Sequence, residues 1–137
     1  MKKIVISFMV FMITILNLNA GNVNEARAKA YVLSRLMQRS GYTIGAVKGE
    51  YLSNGSSITY SRYLYSGNNY VVIGAGDRTV RDLDVMVYDS NWNEIAADND
   101  VSNATAVKFY ATSSGTYHFV TKMYSGYGHF FQLLGWR

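Results

Sequence analysis

The 137-residue sequence has no cysteine, no proline, two histidines and no apolar stretch longer than thirteen residues. Without cysteine there is no disulfide scaffold, thiolate nucleophile, thiolate zinc site or cysteine-ligated iron–sulfur cluster, and no acylated lipoprotein anchor. His118 and His129 show neither HExxH spacing nor a nearby third ligand, and Gly-x-Ser-x-Gly is missing. The chain therefore reads as not an enzyme, and a small hydrolase built on one of these histidines is the remotest alternative. Turns must be made by Gly, Asn, Asp and Ser, which reach positive φ or cap their own backbone, so the lack of proline leaves them well specified. At 49% hydrophobic and 16% charged, the chain is neither disordered nor fibrous, and its length suits one domain.

Met1-Lys2-Lys3 followed by Ile4 to Leu16, interrupted only by Ser7 and Thr14, has the layout of a secretory signal. Leu18 and Ala20 stand where a signal peptidase reads, which predicts cleavage after Ala20, with Ala26-Arg27-Ala28 as the fallback. Thirteen apolar residues fall short of the roughly 20 that a membrane-spanning helix needs. The expected location is therefore exported, either periplasmic or secreted, with no stable membrane span. Cleavage removes Lys2 and Lys3 and takes the basic count from 13 to 11, against 9 acids. The remaining charge is bipolar: Arg27, Lys29, Arg35 and Arg39 lie near the start, and seven acids lie between residues 77 and 100. Four basic residues around a short helix on an exported protein do not indicate a nucleic-acid partner.

Residues 21–41 predict one amphipathic helix. Ala26, Ala30, Leu33 and Met37 form its stripe, Asn22 or Asn24 its N-cap, and Gly41 follows its end. The stripe of small or unbranched residues suits packing on a sheet; the alternative is a partner-binding helix. From Tyr42 onward the period changes to 2, in eight short runs rich in Val, Ile, Thr, Tyr and Phe. No helix-length segment separates them, so residues 42–137 are expected to form an all-β, antiparallel, jelly-roll-like sandwich of about eight strands. Alternation places Leu83, Val85 and Val87 opposite Asp82, Asp84, Met86 and Tyr88; it places Val107 and Phe109 opposite Lys108 and Tyr110, and Tyr117 and Phe119 opposite His118 and Lys122.

The stretches RDLDVMVYDSNWNEIAADND (Arg81 to Asp100) and AVKFYATSSGTYHFVTKMYSGYGHFFQL (Ala106 to Leu133) resemble the bacterial pre-peptidase C-terminal domain family. Asp-Leu-Asp leads an aliphatic strand, Tyr-Asp precedes a turn, and Ser-Gly-Thr-Tyr opens a strand that ends in a Ser-Gly loop. The similarity spans roughly Gly49 to Leu133. It implies a small jelly-roll-like sandwich of the kind appended to secreted proteases, some of which bind calcium or extracellular polymers such as collagen. A short helix stands here where a peptidase would precede the module, so the role played for an attached enzyme does not transfer.

Two site expectations follow. A hard cation needs six to eight oxygens, and the acidic belt offers Asp82, Asp84, Asp98 and Asp100 as calcium ligands. Counting from Asp98 puts Asn103 at the turn glycine and Phe109 at the bidentate glutamate of an EF-hand, so it is not one; the competing reading is that these residues cap turns and keep sheet edges soluble. Twelve tyrosines and two tryptophans also exceed the needs of a core. Tyr63 and Tyr65 share a strand face with Ser61, Trp92 stands alone in the polar turn SNWNE, and Tyr124 and Tyr127 lie in YSGYG. These five are the candidate ligand-binding residues, either presented to a ligand or folded onto the sheet. The expectation is an exported non-catalytic binding module for an extracellular or envelope polymer, polysaccharide or protein. The alternative is a cell-envelope interaction subunit that uses the helix and needs no ion.

Overall fold

The computed structural model describes residues 21–137; the signal segment and its cleavage lie outside the described residues, apart from Gly21 itself. Helix α1 (Val23–Arg39) starts where Asn22, extended in its backbone, accepts a 2.9 Å hydrogen bond on its side chain from the Glu25 amide. It ends before Gly41, whose φ of 91° reverses the chain. Eight strands follow: β1 (Thr43–Leu52), β2 (Ser57–Leu64), β3 (Asn69–Gly76), β4 (Val80–Tyr88), β5 (Glu94–Ala97), β6 (Ala104–Tyr110), β7 (Gly115–Gly126) and β8 (Gly128–Trp136). They pair antiparallel in two sheets of order β1-β8-β3-β6 and β2-β7-β4-β5. This is the jelly-roll order, so the predicted fold class holds.

The predicted inward faces are the observed ones. Leu83, Val85, Val87, Val107, Phe109, Tyr117 and Phe119 are buried between the sheets. Thr121 and Gln132 meet across the two layers inside this core, the hydroxyl donating to the carboxamide oxygen. β3 differs from β4 for a tertiary reason. Helix α1 lays Ala26 and Ala30 on the outer face of the first sheet, against Val71, Ile73, Ala75 and Leu133. β3 is therefore covered on both faces and reads as a continuous apolar run, whereas β4, open on its outer face, alternates. Since the Ala26/Ala30 stripe is buried in the sheet, any docking through α1 would have to use its exposed flanks, Tyr31, Val32 and Leu36.

Candidate functional site

The outer face of the second sheet carries the most organised surface. The β4–β5 turn is clamped by Asp89, whose carboxylate accepts from the amides of Asn91 and Asn93, both at 2.9 Å, and from the Asn93 side chain. The Asn93 amide bond is the first cause, ahead of the Asn93 side chain, the Asn91 amide and the nearby His118, that holds the Asp89 carboxyl below its usual value. Within this turn Trp92 takes a φ of 61°, a left-handed conformation that is strained for a bulky residue. The strain turns the indole flat onto His118, with ring centres 3.9 Å apart and planes within 2°. His118 is oriented in turn by Ser61, its cross-strand neighbour, through a 2.7 Å contact between Oγ and Nδ1. Tyr88 completes the row across β2, β7 and β4.

Trp92 is thus both folded back and presented: one face rests on His118, yet the residue is 54% exposed. Tyr63, two pairs along the β2–β7 ladder from this row, meets Tyr65 edge to face at 5.3 Å, and both rings are exposed. Trp92, Tyr63 and Tyr65 therefore gather at one end of the sheet. Tyr124 and Tyr127 do not join them. Tyr124 lies six residues along β7 from His118, about 20 Å at strand rise, with the Lys122 ammonium over its ring. Tyr127 lines a separate cleft of about 600 Å³ with Asn54, Arg78 and Arg81. The Ser61–His118 contact and the row it belongs to are not visible in the sequence; alternation put Ser61 on a face with Tyr63 and Tyr65 and His118 opposite Tyr117 and Phe119, but only the strand register makes them neighbours.

Three of the four acids proposed as calcium ligands share one electrostatic neighbourhood. Asp82 sits at an irregularity of the β4–β7 ladder and is 6% exposed. Asp82 and Asp84 each hold a buried Oδ1 with no hydrogen-bond partner. Burial first, then the charges of Asp82 and Asp98, push the Asp84 carboxyl above its ordinary value, partly offset by Lys122 across the ladder. Asp98 is held beside β4 by its amide bond to the Val85 carbonyl. Asp100 connects to this group through its amide, which donates to Asp98 Oδ1 at 2.9 Å. Among the described residues no three His, Asp or Glu side chains converge closely enough to hold a metal ion. Asp82 and Asp84 hold the two unpartnered oxygens of this group.

Fold and surface together define a jelly-roll sandwich with an aromatic face and an outer helix. No protein-family model and no curated protein matches the sequence. Among solved structures, the chain is similar to the pre-peptidase C-terminal domain of a collagenase from Bacillus anthracis, with a TM-score of 0.55 at 16% identity, covering 65% of this chain and 87% of that one. It is also similar to PliG of Aeromonas hydrophila, a periplasmic lysozyme inhibitor of g-type lysozyme, with a TM-score of 0.53 at 14% identity, covering 72% of this chain and 90% of that one. At these identities the likeness is one of fold, and it agrees with the fold that the sequence resemblance implied.

Proposed function

We propose that the protein is an exported, non-catalytic binding module that holds an extracellular or envelope polymer, polysaccharide or protein, on the platform of Trp92, Tyr63 and Tyr65. The single observation that carries this is Trp92, a half-exposed indole kept in a strained backbone conformation and stacked on an imidazole that Ser61 orients. Strain of this kind persists where the surroundings over-determine it and clusters at ligand clamps. A rigid aromatic face stacks on sugar rings or on the apolar side chains of a protein chain at low entropic cost. The signal layout of Met1 to Ala20 supports export. The fold is shared with a domain of a collagenase and with a periplasmic lysozyme inhibitor, which supports a binding role outside the cytoplasm. Ser61 and His118 are a nucleophile–base contact, but no carboxylate bonds the imidazole among the described residues and Trp92 covers one of its faces, which supports a non-catalytic reading.

Calcium enters this proposal as a stabiliser held by Asp82 and Asp84, with Asp98 and Asp100 on the adjoining loop. Bound there, it would supply positive charge to two carboxylate oxygens that now lack partners.

The test is a pull-down panel of chitin, cellulose, peptidoglycan, collagen and g-type lysozyme, run with wild type and Trp92→Asn. Retention of wild type on one of these and loss of the variant is expected; equal retention of both removes the platform. Thermal melts in calcium and in EDTA test the ion separately, and superimposable curves remove calcium while leaving the platform standing.

A further inference from the structure

The open side of the sandwich, where edge strands β1 and β2 face each other, carries a second site, adjoining the Trp92 platform through Ser61 and Arg62. Between Gly45 and Lys48 β1 has one more residue than β8, and Ala46 absorbs this bulge with a φ of 49°. Beyond the bulge the parity of β1 is reversed. Leu52 reaches the core, Glu50 comes beside the inward Tyr60, and Lys48 turns toward the gap between the sheets. The gap is a slot of about 240 Å³ lined by Ala46, Lys48, Tyr60, Arg62, Phe119 and Gln132, among others. The groups that converge on it are mostly donors. The Gln132 carboxamide oxygen is occupied by Thr121, which leaves its N–H₂ for the slot. The Tyr60 hydroxyl is buried with no partner at full hydrogen-bond geometry, its neighbouring acceptor being the Glu50 carboxylate, and burial first, then Glu50, raise its pKa, so the phenol keeps its proton through the neutral range. Among the described residues, Lys48 and Arg62 are in no ion pair.

A buried orphan hydroxyl calls for an explanation, and strained bulges recur beside binding sites. We propose that this slot binds a carboxylate, with Lys48 and Arg62 supplying charge and Tyr60 and Gln132 supplying hydrogen bonds. Taking about 30 Å³ per water, the slot holds roughly eight waters, room for one pyranose or for a short acidic side chain with several waters. The carboxylate can belong to a sugar acid or to an acidic side chain of a protein, and two arms of the experiment separate these sources. Backbone amide resonances of the purified protein are followed during titration with D-glucuronate, N-acetyl-aspartate amide and, as neutral control, D-glucose, all in EDTA. One of the two carboxylates is expected to shift Lys48, Tyr60 and Gln132 where glucose does not. Lys48→Met and Tyr60→Phe should each weaken that binding at least fivefold, whereas Trp92→Asn should leave it within twofold. No shift from either carboxylate, an equal shift from glucose, or full affinity in both variants would overturn it.

A second feature concerns the first described residue. Asp77 is 1% exposed. Its Oδ1 accepts from the amide and hydroxyl of Thr79, and its Oδ2 accepts from the His129 amide at 3.1 Å. No Lys or Arg side chain among the described residues pairs with it. Gly21 lies against this carboxylate so closely that a methyl on its Cα would overlap the carboxylate oxygens. A buried charge is costly unless it is paired. On the reading that the signal is cut after Ala20, we infer that the new Gly21 ammonium pairs with Asp77, so that processing completes the charge balance of the fold. The mature protein is sequenced from its N-terminus and melted before and after selective acetylation of the α-amino group. A start at Gly21, a drop of several degrees on acetylation, and no such drop in Asp77→Asn are expected. Another start residue, or an unchanged melt after acetylation, would overturn it.

Discussion

Replacing Trp92 by Asn separates presentation from structural support. The wild-type indole is 54% exposed, so a little under half of it is covered. Taking about 200 Å² for a tryptophan side chain, roughly 90 Å² leaves water, worth about 2 kcal/mol at 25 cal/mol per Å². The stack on His118 adds about 1 kcal/mol. Against this, a left-handed backbone costs an L-residue about 1–2 kcal/mol, and asparagine is among the residues that tolerate it best. The net loss is about 1–2 kcal/mol, and for a domain of this length each kcal/mol moves the melting temperature by about 4 °C. Trp92→Asn is therefore expected to melt about 4–8 °C below wild type with a native circular dichroism spectrum. Its retention on the polymer that wild type holds should fall by about 30-fold, the equivalent of the roughly 2 kcal/mol lost when a binding hot spot is truncated. A fall beyond about 15 °C would show the indole to be a structural member, and unchanged retention would show that it touches no ligand.

Asp84→Asn should stabilise the protein at pH 7 in EDTA. The folded carboxyl has its pKa raised by burial and by Asp82, so the stability it contributes is fully present below the ordinary carboxylate value and is lost as pH rises through the raised one. The variant should gain most near neutrality and least near pH 3; a lower melting temperature than wild type at pH 7 would contradict this. Gly126→Ala should cost about 3 kcal/mol or more, read as the midpoint shift in urea unfolding, because φ there is 92° and a methyl would overlap the Thr79 carbonyl oxygen and stand 2.7 Å from the Arg81 nitrogen. Thr121→Val should cost about 1–3 kcal/mol by leaving the Gln132 oxygen unpaired, whereas pairing it with Gln132→Leu should recover part of that loss.

Period and turn chemistry were enough to place the helix, all eight strands and the inward faces of β4, β6 and β7, because alternation and capping depend on residues a few positions apart. They also marked Trp92 as out of place in a polar turn. The partners were decided at long range. His118 beneath Trp92, Ser61 beside His118, and Asp98 near Asp84 all depend on strand register and sheet order, which no local window contains. For the same reason Tyr124 and Tyr127 lie apart from Trp92, Tyr63 and Tyr65, and the single extra residue at Ala46 aimed the exposed Lys48 and Glu50 at the open edge between the sheets. The sequence by itself determined the inward faces of β4, β6 and β7, since alternation is a property of each strand's own pleat. Only the tertiary structure decided which outward groups meet, since that requires pairing residues up to 93 positions apart, Thr43 with Trp136, and laying one helix over β3 and β8.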